Sequence, residues 1–461
     1  MTGCLGHSDP PFVQPDPDPG QDQPPGGGSQ SPPKIVRGPH KMSDVHVEPG
    51  GERVWIVHHG VGDLNANPNE TAHFGVYVPD TGEFADVLDT TGTLGKRIVF
   101  PGTGRVLYVT QRGTAQDVFV SLDTVARRPL AQSTYPGDRQ NFRLSPNGRA
   151  LISTNKTDRR LHVLDTTSLV DRAMPADIVD ADGVAWAPGQ DMLYALRLRP
   201  AATQLVRYDL RTADLGNPLP PPVVVAADLC FDGPIVVSPD GRFLAVSCVA
   251  DHDTRQVSLI DATTGAVVTV AGDSVSDFAR DGRAIVWQLN APEPDSFPTT
   301  DFRLVDPATG TAAATVVTGL VFPTGRPLRD HDIILVDGYD QSADMTNAPF
   351  QYHIADGSRT PSAQSAAFAS ALFERPGHDE LWLWLEYRSL LTRYDLATGE
   401  MTTITYGDDS VDFRAASDDI IIGSFAPSLR RLSTATAKGI GMERILAYPS
   451  DVTAPFKLDD Q

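Results

Sequence analysis

Short apolar runs recur along this chain, each entered through a tight polar turn. Val54-Trp55-Ile56-Val57, Val106-Leu107-Tyr108-Val109, Leu151-Ile152, Met192-Leu193-Tyr194-Ala195 and Phe243-Leu244-Ala245-Val246 are followed by Ala284-Ile285-Val286-Trp287, Ile333-Ile334-Leu335-Val336, Leu381 to Leu385 and Ile420-Ile421-Ile422. The turns before them include Gly102-Thr103-Gly104, Pro146-Asn147-Gly148, Pro188-Gly189-Gln190, Pro239-Asp240-Gly241 and Arg280-Asp281-Gly282. Asx and Gly suit such turns because the chain must take positive φ or accept a side-chain hydrogen bond there. Runs this short and this apolar read as strands covered on both faces. A third strand in many units closes on an Asp-centred turn, at Asp80, Asp165, Asp261, Asp306 and Asp395, where the carboxylate is expected to cap its own turn. No long helical period occurs, so helix is expected to be nearly absent.

The turns fall roughly 41 to 53 residues apart, which suits four antiparallel strands and their connections. The fold class expected is therefore all-β, a β-propeller of four-stranded antiparallel blades. Nine candidate units can be counted; eight blades are expected, with seven and nine open, because propellers generally have about four to eight. Residues 1–40 are expected to be a disordered Pro/Gly-rich tether and residues 41–461 a single propeller domain. Ile35 to Arg37 and Val452 to Leu458 are the candidate strands for closing the ring between the two termini.

The segments Leu107-Tyr108-Val109-Thr110-Gln111 and Ile152-Ser153-Thr154-Asn155-Lys156, with the strands that follow them, resemble the YVTN-type propeller repeat. SPNGRALIS and SPDGRFLAV, from Ser145 and Ser238, are similar to the WD40-like repeats of TolB-type proteins. No Trp-Asp dipeptide occurs, so the hydrogen-bond network of true WD40 repeats is not expected. The resemblance implies the fold and leaves function to the site.

The tail changes the picture of where the protein works. Met1-Thr2-Gly3-Cys4 resembles the end of a bacterial lipobox, in which the cysteine is acylated, though without the charged and apolar regions that precede it in that family. From Ser8 to Pro33 the chain is rich in proline and nearly devoid of apolar residues, a composition that buries too little surface to fold. A cysteine, a tether and a globular domain in that order suit a lipid-anchored envelope protein if a signal lies upstream. Otherwise Cys4 is an ordinary cysteine and the location is cytoplasmic. Cys230 and Cys248 flank the hairpin Ile235 to Val246, so they form either a disulfide, in an oxidising compartment, or a pair of buried thiols.

Charge narrows the partners. Lys plus Arg total 38 against 59 Asp plus Glu, a net charge of −21. Such a surface repels phosphate backbones, which argues against nucleic acid. No apolar run is long enough to span a membrane as a helix, so membrane contact is expected only through the anchor. A monomer is expected, with a protein or another envelope component as partner.

Candidate binding residues lie in the variable loops between second and third strands: Asp63, Asn65 and Asn67 in the first unit, Asp251 and Asp253 in the fifth, Asp337 and Asp340 in the seventh. Asp63, Asn65, Asn67 and Asn69 alternate as calcium-loop ligands do, but Pro68 and Phe74 stand where such loops carry Gly and Glu. The reading preferred is a solvated Asx-rich turn, with calcium the alternative and no other cofactor. His58, His59 and His73 bracket that loop, and at most two could converge on a metal because neighbours in a strand point to opposite faces. Asp44, His46, Arg97, Arg143, Asp277 and Asp412 are the ionisable groups nearest a central channel. Asp277 and Asp412 are expected at equivalent places just before two first strands, as structural caps. No nucleophile elbow, HExxH or phosphate-binding glycine loop is present, so no catalytic residue is assigned. A non-catalytic propeller that binds through its loop face is the first expectation; a propeller hydrolase or lactonase-like enzyme is the alternative.

Overall fold

A computed structural model covers all 461 residues. It describes residues 35–37, 41–48, 53–59, 71–78, 83–91, 93–102, 104–112, 116–178, 183–199, 203–213, 215, 217–230, 233–251, 254–290, 298–328, 330–340, 346–347, 350–361, 369–374, 378–385, 390–405, 412–417, 420–425, 428–433, 438–446 and 456–457. Cys4 and the tether up to residue 34 lie outside the described residues.

The described chain is all-β, with no α-helix. The third blade shows how the local sequence dictates the pattern. Its strands are Arg139–Leu144, Ala150–Asn155, Arg160–Asp165 and Asp171–Ala173, each antiparallel to the next. The first turn closes with Gly148 N–H donating to Ser145 O and the Ala150 N–H donating to Ser145 Oγ. Gly148 has φ +72, and a Cβ there would run into the carbonyl of Pro101 in the second blade, so glycine is required on two counts. The second turn is capped by Asp165, whose Oδ1 accepts the N–H groups of Thr167 and Ser168 at 2.9 and 2.8 Å. Asp261 and Asp395 accept two backbone N–H groups in the same manner, and Asp306 accepts that of Ala308. Asp80 lies outside the described residues.

This pattern of four strands recurs along the chain. Hydrogen bonding gathers it into eight sheets. The sheet that begins at Ser274–Phe278 holds two units, because the long strand Ala312–Pro327 serves twice. Its first part pairs with Thr299–Val305 as a fourth strand, and its second part pairs with Ile333–Asp340 as the next first strand. Among the described residues the four-strand pattern thus recurs nine times, and these units are numbered as blades in that order.

Each seam from the first blade to the eighth carries its own apolar cluster among the described residues. Leu107, Val109 and Phe119 of the second blade meet Leu151 and Leu164 of the third, and Ile152 and Val163 on the other side meet Leu193, Val206 and Tyr208 of the fourth. A strand covered on both faces needs apolar residues at consecutive positions, which is why the runs alternate so little. The ends are joined by strand exchange. Ile35–Arg37 runs parallel to Lys438–Leu446 of the ninth blade, and Phe456–Lys457 runs parallel to Glu83–Thr91 of the first. Both candidate closing segments are used, each as a fifth outer strand.

Candidate binding faces

The topology separates two faces. Turns between first and second strands and between third and fourth strands share one, the turn face. Loops between second and third strands share the other with the blade-to-blade connections, the loop face. The second-to-third connections span 60–70 in the first blade, 290–298 in the sixth and 341–349 in the seventh, against 156–159 in the third. Three of the long connections therefore belong to the loop face, and one, 210–222 between the third and fourth strands of the fourth blade, belongs to the turn face.

Asp63, Asn65, Asn67 and Asp253 lie outside the described residues. Asp251 ends the strand Phe243–Asp251 at the loop face, opposite Thr254. Asp337 and Asp340, expected in a loop, belong instead to the strand Ile333–Asp340. That strand runs on because its end has partners on both sides: Asp340 is opposite Leu320 on one and Thr346 on the other, while Asp337 is opposite Thr324. Asp251 and Asp340 thus hold matching places at the loop-facing ends of second strands, with Asp337 one turn of the pleat further in. His58 is opposite His73 and His59 is opposite Ala72 in the ladder. No group of three metal-binding side chains occurs among the described residues.

Four of the six channel candidates are tied to bulges. Register shifts fall between Met42 and Asp44, Gly95 and Arg97, Gln140 and Arg143, and Val275 and Asp277, so these four candidates each follow an extra residue on an inner strand, whereas His46 lies in regular register opposite Trp55. A bulge bends and twists a strand and re-aims its side chains, which suits the crowded hub of a ring. Arg143 donates from Nη1 to the Val184 carbonyl of the next inner strand at 2.8 Å, and Trp186 Nε1 donates back to the Arg143 carbonyl. Asp277 Oδ1 accepts the neighbouring Phe278 N–H at 2.7 Å. The expectation that Asp277 and Asp412 precede their strands and match is corrected. Both lie within first strands, Asp277 after a bulge opposite Ile285 and Asp412 at a strand start opposite Ser424.

Composition gave no hint of the most buried ionic cluster among the described residues, at the seam of the second and third blades. Arg139 is 1% exposed and its guanidinium grips both oxygens of Asp171 at 2.6 and 2.8 Å. The guanidinium also lies over the rings of Tyr135 and Phe119, at 5.4 and 5.8 Å from their centroids. His162 has Asp171 Oδ2 at 2.7 Å from Nδ1 and Asp158 Oδ2 at 2.9 Å from Nε2. Burial pushes the Asp171 carboxyl up, but hydrogen bonds from Arg139 and His162 outweigh it and hold the group below the usual range. A buried charge survives only when paired this fully, so the cluster serves as a seam rather than an open site.

The turn face has a repeated device of its own. The arginine after the turn glycine reaches the third-to-fourth turn of the following blade: Arg105 donates to Thr167 Oγ1 at 2.8 Å, Arg283 to the Ile354 carbonyl at 3.1 Å, and Arg149 to the carbonyls of Leu210, Arg211 and Ala213. The recurrent Gly-Arg pair was the signal for it. In the fifth blade Arg242 turns back to Asp261 of its own blade. Between the second and third blades these turns frame a polar groove of about 350 Å3, lined in part by Arg105, Asp123, Asn147 and Thr167.

Cys230 and Cys248 form a disulfide, with Cα atoms 5.4 Å apart. It ties the end of the fourth blade to the second strand of the fifth. Gln256 Nε2 lies 3.5 Å from the Cys230 sulfur.

No family model matches the chain, and no curated protein matches it in sequence. Solved structures do match. A crystal structure of the eukaryotic initiation factor aligns with a TM-score of 0.53 at 11% identity, over 82% of this chain and 91% of that one. Dihydro-heme d1 dehydrogenase NirN in complex with DHE aligns at 0.46 and 18% identity, over 81% and 74%, and TolB from Acinetobacter baumannii at 0.30 and 13%, over 77% and 80%. The fold is a β-propeller. At such identities the likeness speaks to architecture alone.

Proposed function

We propose that this propeller is a non-catalytic binding protein that holds a protein or another envelope component on its loop face. The observation that carries the reading is the asymmetry of the two faces. Turns on one side are short and stapled from blade to blade apart from one connection, 210–222 in the fourth blade, whereas the long connections 60–70, 290–298 and 341–349 belong to the other. Variable loops on a rigid scaffold are the usual seat of recognition. The hub supports a non-catalytic role, since Arg143 is spent on the neighbouring inner strand and Asp277 on its own backbone. The acidic ends of the second strands, at Asp251 and Asp340, favour a partner surface with basic groups. The Cys4 lipobox resemblance and the proline-rich segment after it favour attachment to the envelope through a lipid on Cys4, in a compartment where the Cys230–Cys248 disulfide persists.

The test is cross-linking in the native host with the full chain. Asp251→Lys combined with Asp340→Lys should abolish a cross-link that a turn-face variant, Val125→Lys, retains. Loss in the turn-face variant and retention in the loop-face variant would reverse the assignment. Intact-mass measurement of the N-terminus, showing Cys4 unmodified, would remove the anchor and leave the loop-face reading standing.

A further inference from the structure

One connection on the turn face breaks the pattern of its neighbours. Third and fourth strands are joined across 124–127 in the second blade, 166–170 in the third, 262–266 in the fifth, 306–311 in the sixth and 396–400 in the eighth. In the fourth blade the connection runs from 210 to 222. An insertion confined to one blade of a repeating scaffold is not needed to build that scaffold.

Its second half reads Asn217-Pro218-Leu219-Pro220-Pro221-Pro222. Proline fixes φ near −65°, and a residue before proline is held extended, which applies to Asn217, Leu219, Pro220 and Pro221. The segment is therefore set as a polyproline II helix, with three residues per turn. Exposure follows that period along two of its three rows, and Pro220, in the third, is half-buried. Pro218 and Pro221 are exposed, while Leu219 and Pro222 are half-buried. Leu219 packs on the cluster shared by the third and fourth blades, and Leu215 just before it is 1% exposed. Upstream, the Arg149 guanidinium of the third blade holds the carbonyls of Leu210, Arg211 and Ala213. The strap is fastened along one edge and open along the other. Its open edge runs into Val223 and Val224, which are 54% and 49% exposed.

We propose that Pro218 and Pro221, with Val223 and Val224 beside them, form a docking ligand for a partner domain that takes polyproline II segments in an aromatic-lined groove. Prolines offer no N–H, so Pro218 and Pro220 to Pro222 cannot extend a partner's sheet by ladder hydrogen bonds. They offer instead apolar rings on one edge and carbonyl acceptors, the features that aromatic grooves with Trp and Tyr donors recognise. The conformation is already fixed, so little ordering cost remains on binding. A net charge of −21 favours a groove with a basic rim. This surface is separate from the loop face, and neither reading depends on the other.

The experiment titrates the full chain into isolated, isotope-labelled SH3, WW and EVH1 domains and follows their groove resonances. At least one domain should bind with Kd below about 1 mM, weakened about tenfold by Pro218→Ala with Pro221→Ala and unchanged by Val125→Thr. The double variant should melt with the parent, because both prolines are exposed. Absence of binding by every domain, or equal binding by the double variant, overturns the proposal. Self-association of the double variant on size exclusion also overturns it, since the prolines would then be guarding the Val223 edge against strand pairing.

Discussion

At the scale of single residues, Arg139 shows how a charge becomes structural. Its guanidinium meets both oxygens of Asp171 and two aromatic faces in a seam closed to water. Arg139→Ala would leave Asp171 and its His162 contact buried without their main counter-charge. Removing one partner of a buried pair costs about 3–5 kcal/mol. Chemical denaturation of that variant should show a loss in this range, whereas Arg211→Ala, at an exposed pair with Asp209, should leave stability close to the parent's. Equal, small losses in both would mean the seam is held by its apolar cluster alone. Nothing in the local sequence around Arg139 marks it, because Asp171 lies three strands away and the covering rings come from another blade.

At the scale of the element, the Asp-centred turn was legible from sequence because its cause is local. The carboxylate reaches N–H groups two and three residues ahead, so spacing alone places it. Those N–H groups hold Asp261 and Asp395 below the usual carboxylate range, and the Arg211 side chain does the same for Asp209, lowered to about 2. A carboxyl depressed by folding adds stability that is present above its unfolded pKa and disappears as pH falls through the folded value. The melting temperature should therefore decline from about pH 4 down to about pH 2. Asp261→Asn together with Asp395→Asn should make that decline shallower while keeping polar turn caps. An unchanged slope in the double variant would assign acid sensitivity elsewhere. Second-strand ends were less legible: Asp337 and Asp340 read as loop because a Gly-containing polar stretch gives no sign that Leu320 and Thr346 will flank it.

At the scale of the whole molecule, closure depends on three residues near the start of the described chain. Ile35–Arg37 pairs with Arg444 to Leu446, while Phe456–Lys457 returns to the first blade. Deleting residues 1–34, whose composition offers little apolar surface to bury, should leave the melting temperature unchanged. Deleting 1–37 should lower it by removing an outer strand from the ninth blade. A large drop from the shorter deletion, or none from the longer one, would contradict this account of the ends.

By itself the sequence determined the all-β class, the four-strand period, the glycine turns and the Asp caps, because each is set by residues within a few positions of one another. It also set Cys230 and Cys248 on either side of one hairpin, while leaving open whether they bond. Tertiary structure alone decided that Arg139 is buried against Asp171, that Arg143 bridges two inner strands, and that one long strand joins the sixth and seventh blades. Those outcomes depend on which blade faces which, and on contacts between residues dozens of positions apart, where local patterning carries no information.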